Sequence, residues 1–60
     1  MRRFVVGSCD DPLGLWYVER QEQPISRRYF SAEAVARLVA AKLEAGLLDW
    51  WSDVDFHPYV

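Results

Sequence analysis

The chain has one cysteine, one histidine, three glycines and three prolines in 60 residues, and each scarcity removes a class of explanation. One cysteine forbids an internal disulfide. One Cys with one His falls short of the roughly four ligands that a structural zinc site needs. Gly7, Gly14 and Gly46 stand apart from one another, so there is no glycine-rich loop to cradle a phosphate. No apolar run approaches the roughly 18 residues of a membrane span. Met1-Arg2-Arg3-Phe4 opens with positive charge, but Gly7, Ser8, Cys9, Asp10 and Asp11 cut its apolar stretch too short for a signal peptide. No membrane partner is expected, and a lone thiol fits a reducing, cytoplasmic location. Repeats and low-complexity segments are also lacking.

Aromatic bulk is abundant instead: three Trp, three Tyr and three Phe. A chain of this length makes one domain, residues 1–60, and buries only roughly 60% of its unfolded surface. Reinforcement must come from those rings, each able to bury on the order of 150–250 Å², or from self-association. The net charge of −2 is unevenly spread. Arg2, Arg3, Arg20, Arg27 and Arg28 make the first half basic, while Glu33, Glu44, Asp49, Asp53 and Asp55 outweigh Arg37 and Lys42 in the second.

Three short strands and one helix are legible. Arg2 to Ser8 holds the run Phe4-Val5-Val6 and reads as a strand. Cys9-Asp10-Asp11-Pro12-Leu13-Gly14 has turn chemistry, and Leu15 to Gln21 is a second strand, making an antiparallel hairpin. Ser26 to Phe30 is a third, with Arg27 and Tyr29 on one side and Arg28 and Phe30 on the other. A helix of about 32–45 follows, with Ser31 as N-cap, Glu33 and Arg37 at i,i+4 spacing, and Gly46 as its stop. Leu47 is expected to fold back on Leu43. Ala32, Val35, Leu38, Val39 and Leu43 share the apolar face, with Glu33, Arg37, Ala40 and Glu44 opposite. Lys42 falls on the apolar face, either snorkelling to solvent or pairing with Asp49, Asp53 or Asp55. The expected fold is α+β: a three-stranded antiparallel sheet packed by one helix. The C-terminal segment adds a short edge strand or wraps the core, with Asp49 or Ser52 able to cap a helical turn.

Catalytic chemistry finds little support. Cys9 and His57 form the only nucleophile–base pair of the thiol type, and no local signature surrounds either. Asp10 and Asp11 with Asp53 and Asp55 offer carboxylates, but the further ligands and the glycine of a calcium loop are missing. A non-enzymatic chain without metal or cofactor is expected.

Binding surfaces are better supported. The acidic aromatic stretch Asp49-Trp50-Trp51-Ser52-Asp53-Val54-Asp55-Phe56 carries two adjacent tryptophans that an extended strand cannot bury together. Trp50, Trp51, Asp49, Asp53 and Asp55 are therefore the candidate partner-binding residues, suited to a basic protein groove. Arg3, Arg20, Arg27, Tyr17 and Tyr29 are an alternative nucleic-acid set, able to neutralise phosphates and stack bases. A third reading is a homodimer in which the tail completes a marginal core.

Gly14-Leu15-Trp16-Tyr17-Val18 followed by Arg27-Arg28-Tyr29-Phe30-Ser31-Ala32-Glu33-Ala34-Val35-Ala36 resembles the sheet-plus-helix DNA-binding domains of the AP2 and phage-integrase arm type. Those place a Trp in the second strand and open the helix with Phe-Ser or Phe-Thr. The resemblance implies a sheet that enters the major groove, with contacts from Arg3, Arg20 and Arg27. The charge departs from that pattern, since the isoelectric point is near 5.1. Size, acidity and aromatic content are also similar in type to small phage-encoded inhibitors such as anti-CRISPR proteins. That likeness implies competition for a basic nucleic-acid-binding groove.

Overall fold

The computed structural model describes residues 3–10 and 12–59. Arg2 as the start of the first strand and Asp11 as a turn residue and cation ligand lie outside the described residues, as do Met1 and Val60. Strands β1 (Phe4–Ser8), β2 (Trp16–Arg20) and β3 (Ser26–Phe30) form an antiparallel sheet in the order β1-β2-β3. Register places Val18 between Val6 and Arg28, and Tyr17 between Gly7 and Tyr29. The first hairpin closes through the Cys9 amide on the Leu15 carbonyl at 2.7 Å, and Gly14 takes a φ of +64° that a side chain would resist.

Helix α1 (Glu33–Glu44) lies across one face of the sheet, so the α+β architecture is present. Glu33 and Arg37 pair at 2.7 Å as their spacing requires. The C-terminus is a Schellman cap: Gly46, at φ +77°, donates to the Leu43 carbonyl and Leu47 donates to that of Lys42. Leu47 does not fold back on Leu43 but stays 71% exposed. The N-cap is Ala32 rather than Ser31, and no side chain bonds the first turn. The buried stripe is Ala36, Val39, Ala40 and Leu43, whereas Leu38 is half exposed and Ala32 is exposed. The helix is thus rotated from the expected setting so that alanines meet the sheet. Their small size lets α1 sit close while aromatic rings fill the remaining volume.

Phe4, Val18, Phe30, Ala36, Val39, Ala40, Leu43, Trp50 and Phe56 form one buried cluster. The last two come from the C-terminal segment, which wraps the core instead of adding a strand. A turn at 50–51 leads into the short helix α2 (Asp53–Phe56) and a 3-10 turn at His57–Tyr59. The edge-strand alternative fails for a local reason. The Asp49 carboxylate accepts the Trp51 amide at 3.1 Å and the Asp49 carbonyl accepts that of Ser52, which bends the chain at the tryptophans. Ser52 precedes α2 in extended conformation without a capping bond. Lys42 reaches none of the three aspartates; its ammonium donates to the Tyr59 hydroxyl at 2.7 Å.

Candidate partner-binding surface

The inward side of β3 holds the tail. Ser26, Arg28 and Phe30 alternate onto the helix-covered face, and each takes part of the C-terminal segment. The Trp50 indole N–H donates to the Ser26 hydroxyl at 2.7 Å, and Arg28 donates to the Trp50 carbonyl at 2.7 Å. The Arg28 guanidinium lies 4.0 Å from the Phe56 ring centroid and reaches Asp53 at 3.2 Å. Trp50 packs edge-on to Phe56 at 5.8 Å and tilted against Phe4 at 5.6 Å. Arg28 was not among the candidate residues. The signal for it was its parity with Phe30, which puts a guanidinium on a face that otherwise needs apolar groups.

Fixing Trp50 inward sends Trp51 outward. Trp50 is 5% exposed and Trp51 64% exposed. Trp50 is therefore core, and its inclusion among the partner-binding residues is corrected. The Trp51 ring is not loose. Its amide is bonded to Asp49, and the Arg20 guanidinium lies 4.5 Å from its centroid, itself bonded to Glu22 at 2.8 Å. Asp55 is half-buried and accepts the Asp49 amide at 3.0 Å, which gives it a structural task within the turn. Asp49 and Asp53 remain at the surface, with Val54 80% exposed beside Asp53. Of the five expected residues, Trp51, Asp49 and Asp53 thus face outward.

The alternative set divides between the two faces of the sheet. Tyr17, Arg27 and Tyr29 share the open face with Val5 and Gly7, whereas Arg20 lies on the helix side beneath Trp51. A sheet entering a groove by its open face does not carry Arg20 with it. Tyr17 meets Tyr29 edge-on at 6.5 Å, and Arg27 stacks 4.2 Å from the Tyr17 centroid. Gly7 makes this possible, since a Cβ there would stand 2.4 Å from the Tyr17 ring. Arg27 is paired with Glu19 at 2.7 Å; bonds to Glu19 and then Tyr29 raise its pKa above the usual arginine value. Arg3 and Arg20 share the Glu22 carboxylate, whose bonds to Arg3 and then Arg20 lower its pKa below the usual value. Every cation of the alternative set is thus matched by a carboxylate.

Among the described residues no group of three or more His, Cys, Asp or Glu side chains is placed to hold a metal. Among the described residues no helix is long and apolar enough to cross a membrane. Cys9 follows β1 and His57 follows α2. No family model, curated protein or solved structure matches the chain.

Proposed function

We propose that the chain is a non-enzymatic protein-binding module that engages a basic protein surface through Trp51, with Asp49 and Asp53 as its polar rim. The observation that carries this reading is the opposed fate of neighbouring tryptophans: one is locked into the core, and the other is held outward on Arg20 with its surface open. An exposed but immobilised Trp is what a binding hot spot requires, because little side-chain entropy is lost when a partner covers it. Residues 47–56 hold three carboxylates and no base, and the two that face outward, Asp49 and Asp53, complement a cationic groove of the kind that binds nucleic acid. Occupying such a groove is an inhibitory mode of action.

The test is capture of partners from lysate of the protein's own host, with and without nuclease, using the wild-type chain, Trp51→Ala and Arg27→Ala. The expected result is a protein partner that survives nuclease, is lost with Trp51→Ala and is retained with Arg27→Ala. Loss of all partners after nuclease, with a gel shift that Arg27→Ala removes, moves the function to the open sheet face and overturns the proposal.

A further inference from the structure

The outer edge of β1 is flanked by helix α1. The amide of Gln21 bonds the Arg3 carbonyl and that of Cys9 bonds the Leu15 carbonyl. Odd-numbered positions of the first strand therefore exchange hydrogen bonds with β2. The backbone groups of Phe4, Val6 and Ser8 point the other way, to the free edge. At one end of this edge the Glu44 carboxylate accepts the Phe4 amide at 3.0 Å and the Arg3 amide at 3.1 Å, both through Oε1. Val6 and Ser8 have no such cover among the described residues. Beside the edge runs a groove of about 480 Å³ lined by Phe4, Val5 and Val6 from the strand and Arg37, Ala40, Ala41 and Glu44 from the helix.

The four helical positions follow i, i+3, i+4, i+7 spacing, so they form one stripe with a cation at one end, a carboxylate at the other and alanines between. We propose that this edge and groove form a two-fold interface with a second copy of the chain. Antiparallel pairing of β1 with its mate about Val6 sets Val6 against Val6 and Phe4 against Ser8, whose carbonyl takes over the Phe4 amide and releases the Glu44 carboxylate. The same rotation sets Arg37 of each copy against Glu44 of the other. The Glu44 carboxylate is seated at the Phe4 amide, which places the Arg37–Glu44 stripe alongside the Phe4–Ser8 edge. Helix α1 packs chiefly over β1 and β2, so the two α1 helices lie on the same side of the joined sheet, flanking the axis. The alanines of the stripe permit their approach. Charge complementarity across the axis selects a second copy as the occupant: with the stripe inverted against itself, Arg37 exchanges its exposed Glu33 partner for the mate's Glu44, and both ends are matched at once.

The wild-type chain, Arg37→Glu, Glu44→Lys and an equimolar mixture of the two variants are compared by sedimentation from roughly 10 μM to roughly 1 mM, the range a small interface reaches. The wild type is expected to shift from one mass to twice that mass. Each variant alone places like charges across the axis and should dimerise at least about tenfold more weakly. The mixture sets each introduced charge against its opposite and restores the dimer. A single chain mass throughout the wild-type series, a dimer unaffected by either variant, or a mixture that restores nothing overturns the proposal. Because Glu44 also caps the Phe4 amide, amide exchange on the wild-type chain gives a readout without mutation. Val6 and Ser8 should exchange slowly at high concentration and quickly at low concentration, and equal rates overturn the interface. Neither readout involves Trp51.

Discussion

Replacing each of the adjacent tryptophans by alanine should give two unrelated results. Trp50 is 5% exposed, packs on Phe4 and Phe56, and bonds Ser26 at 2.7 Å. Removing such a ring from a core costs about 3–5 kcal/mol, and the Ser26 bond contributes about 1 kcal/mol of its own. A chain of this length has a total stability of about 3–9 kcal/mol at typical values per residue. Trp50→Ala should therefore leave a large fraction of the protein unfolded at 25 °C, and Trp50→Phe should recover part of the loss. Trp51→Ala removes a ring that is 64% exposed and one cation–π contact with Arg20. That contact is worth about 0.5–1 kcal/mol. Urea unfolding followed by far-ultraviolet circular dichroism reads both, with the midpoint as the comparison and the slope as the two-state check. The gap between the variants should reach about 2 kcal/mol or more. Equal midpoints would mean that the turn at 49–52 does not sort the two rings, and the reasoning behind the Trp51 surface would fall with it.

Arg28→Met should destabilise the chain by about 2 kcal/mol, because the Trp50 carbonyl loses a charged donor, and Arg28→Lys should recover only part of that in the same urea assay. Equal stability of the Met variant and the wild type would refute the anchoring role. Glu22 is held below its usual pKa of 4.5 by Arg3 and then Arg20. Its contribution is therefore present above pH 4.5 and is lost as pH falls through the lowered folded value. Thermal melts between pH 6 and pH 2 should show a shallower acid decline for Glu22→Gln than for the wild type, and parallel declines would contradict the assignment. Gly7→Ala should cost about 1 kcal/mol by driving the Tyr17 ring off the strand, and should cost less in a Tyr17→Ala background. Additive effects in that double-mutant cycle would show that the two positions do not meet.

The elements that rest on local chemistry were legible in the sequence. Apolar runs, turn residues and the glycine after the helix foretold three strands, one helix and its stop, and each lies within a residue or two of its expected bounds. The rotation of α1 was not legible. Ala32 to Ala41 is apolar around much of its circumference, so periodicity alone does not decide whether Leu38 or Ala40 meets the sheet. That choice depends on how much volume Trp50 and Phe56 already occupy. The sorting of Trp50 and Trp51 was likewise half visible: the pair had to split, but the direction was set by Ser26 and Arg28, more than twenty residues earlier. Parity placed Arg28 beside Phe30, yet only the return of the tail gives its guanidinium an acceptor.

The basic and acidic halves of the sequence do not become two charged faces. All five described arginines sit in ion pairs: Arg3 and Arg20 on Glu22, Arg27 on Glu19, Arg28 on Asp53, and Arg37 on Glu33. Most of these partners lie close in sequence, so the basic half largely neutralises itself. A nucleic-acid ligand gains affinity when free protein cations neutralise its phosphates and release the condensed counterions into solution. Here it would first have to displace a carboxylate from each guanidinium, and the displaced carboxylates would then repel the backbone. Those exposed pairs are individually weak, about 0–1 kcal/mol each, so their rupture is not the main cost. The main cost is the negative charge left behind at the contact. In the proposed mode a protein ligand at Trp51 would cover a ring already held by Arg20 and meet Asp49 at the surface, and only Asp53 would have to share its carboxylate with Arg28. If the β1 edge joins two copies, the pair presents two such rings, and a partner with matched sites gains effective concentration without any new contact.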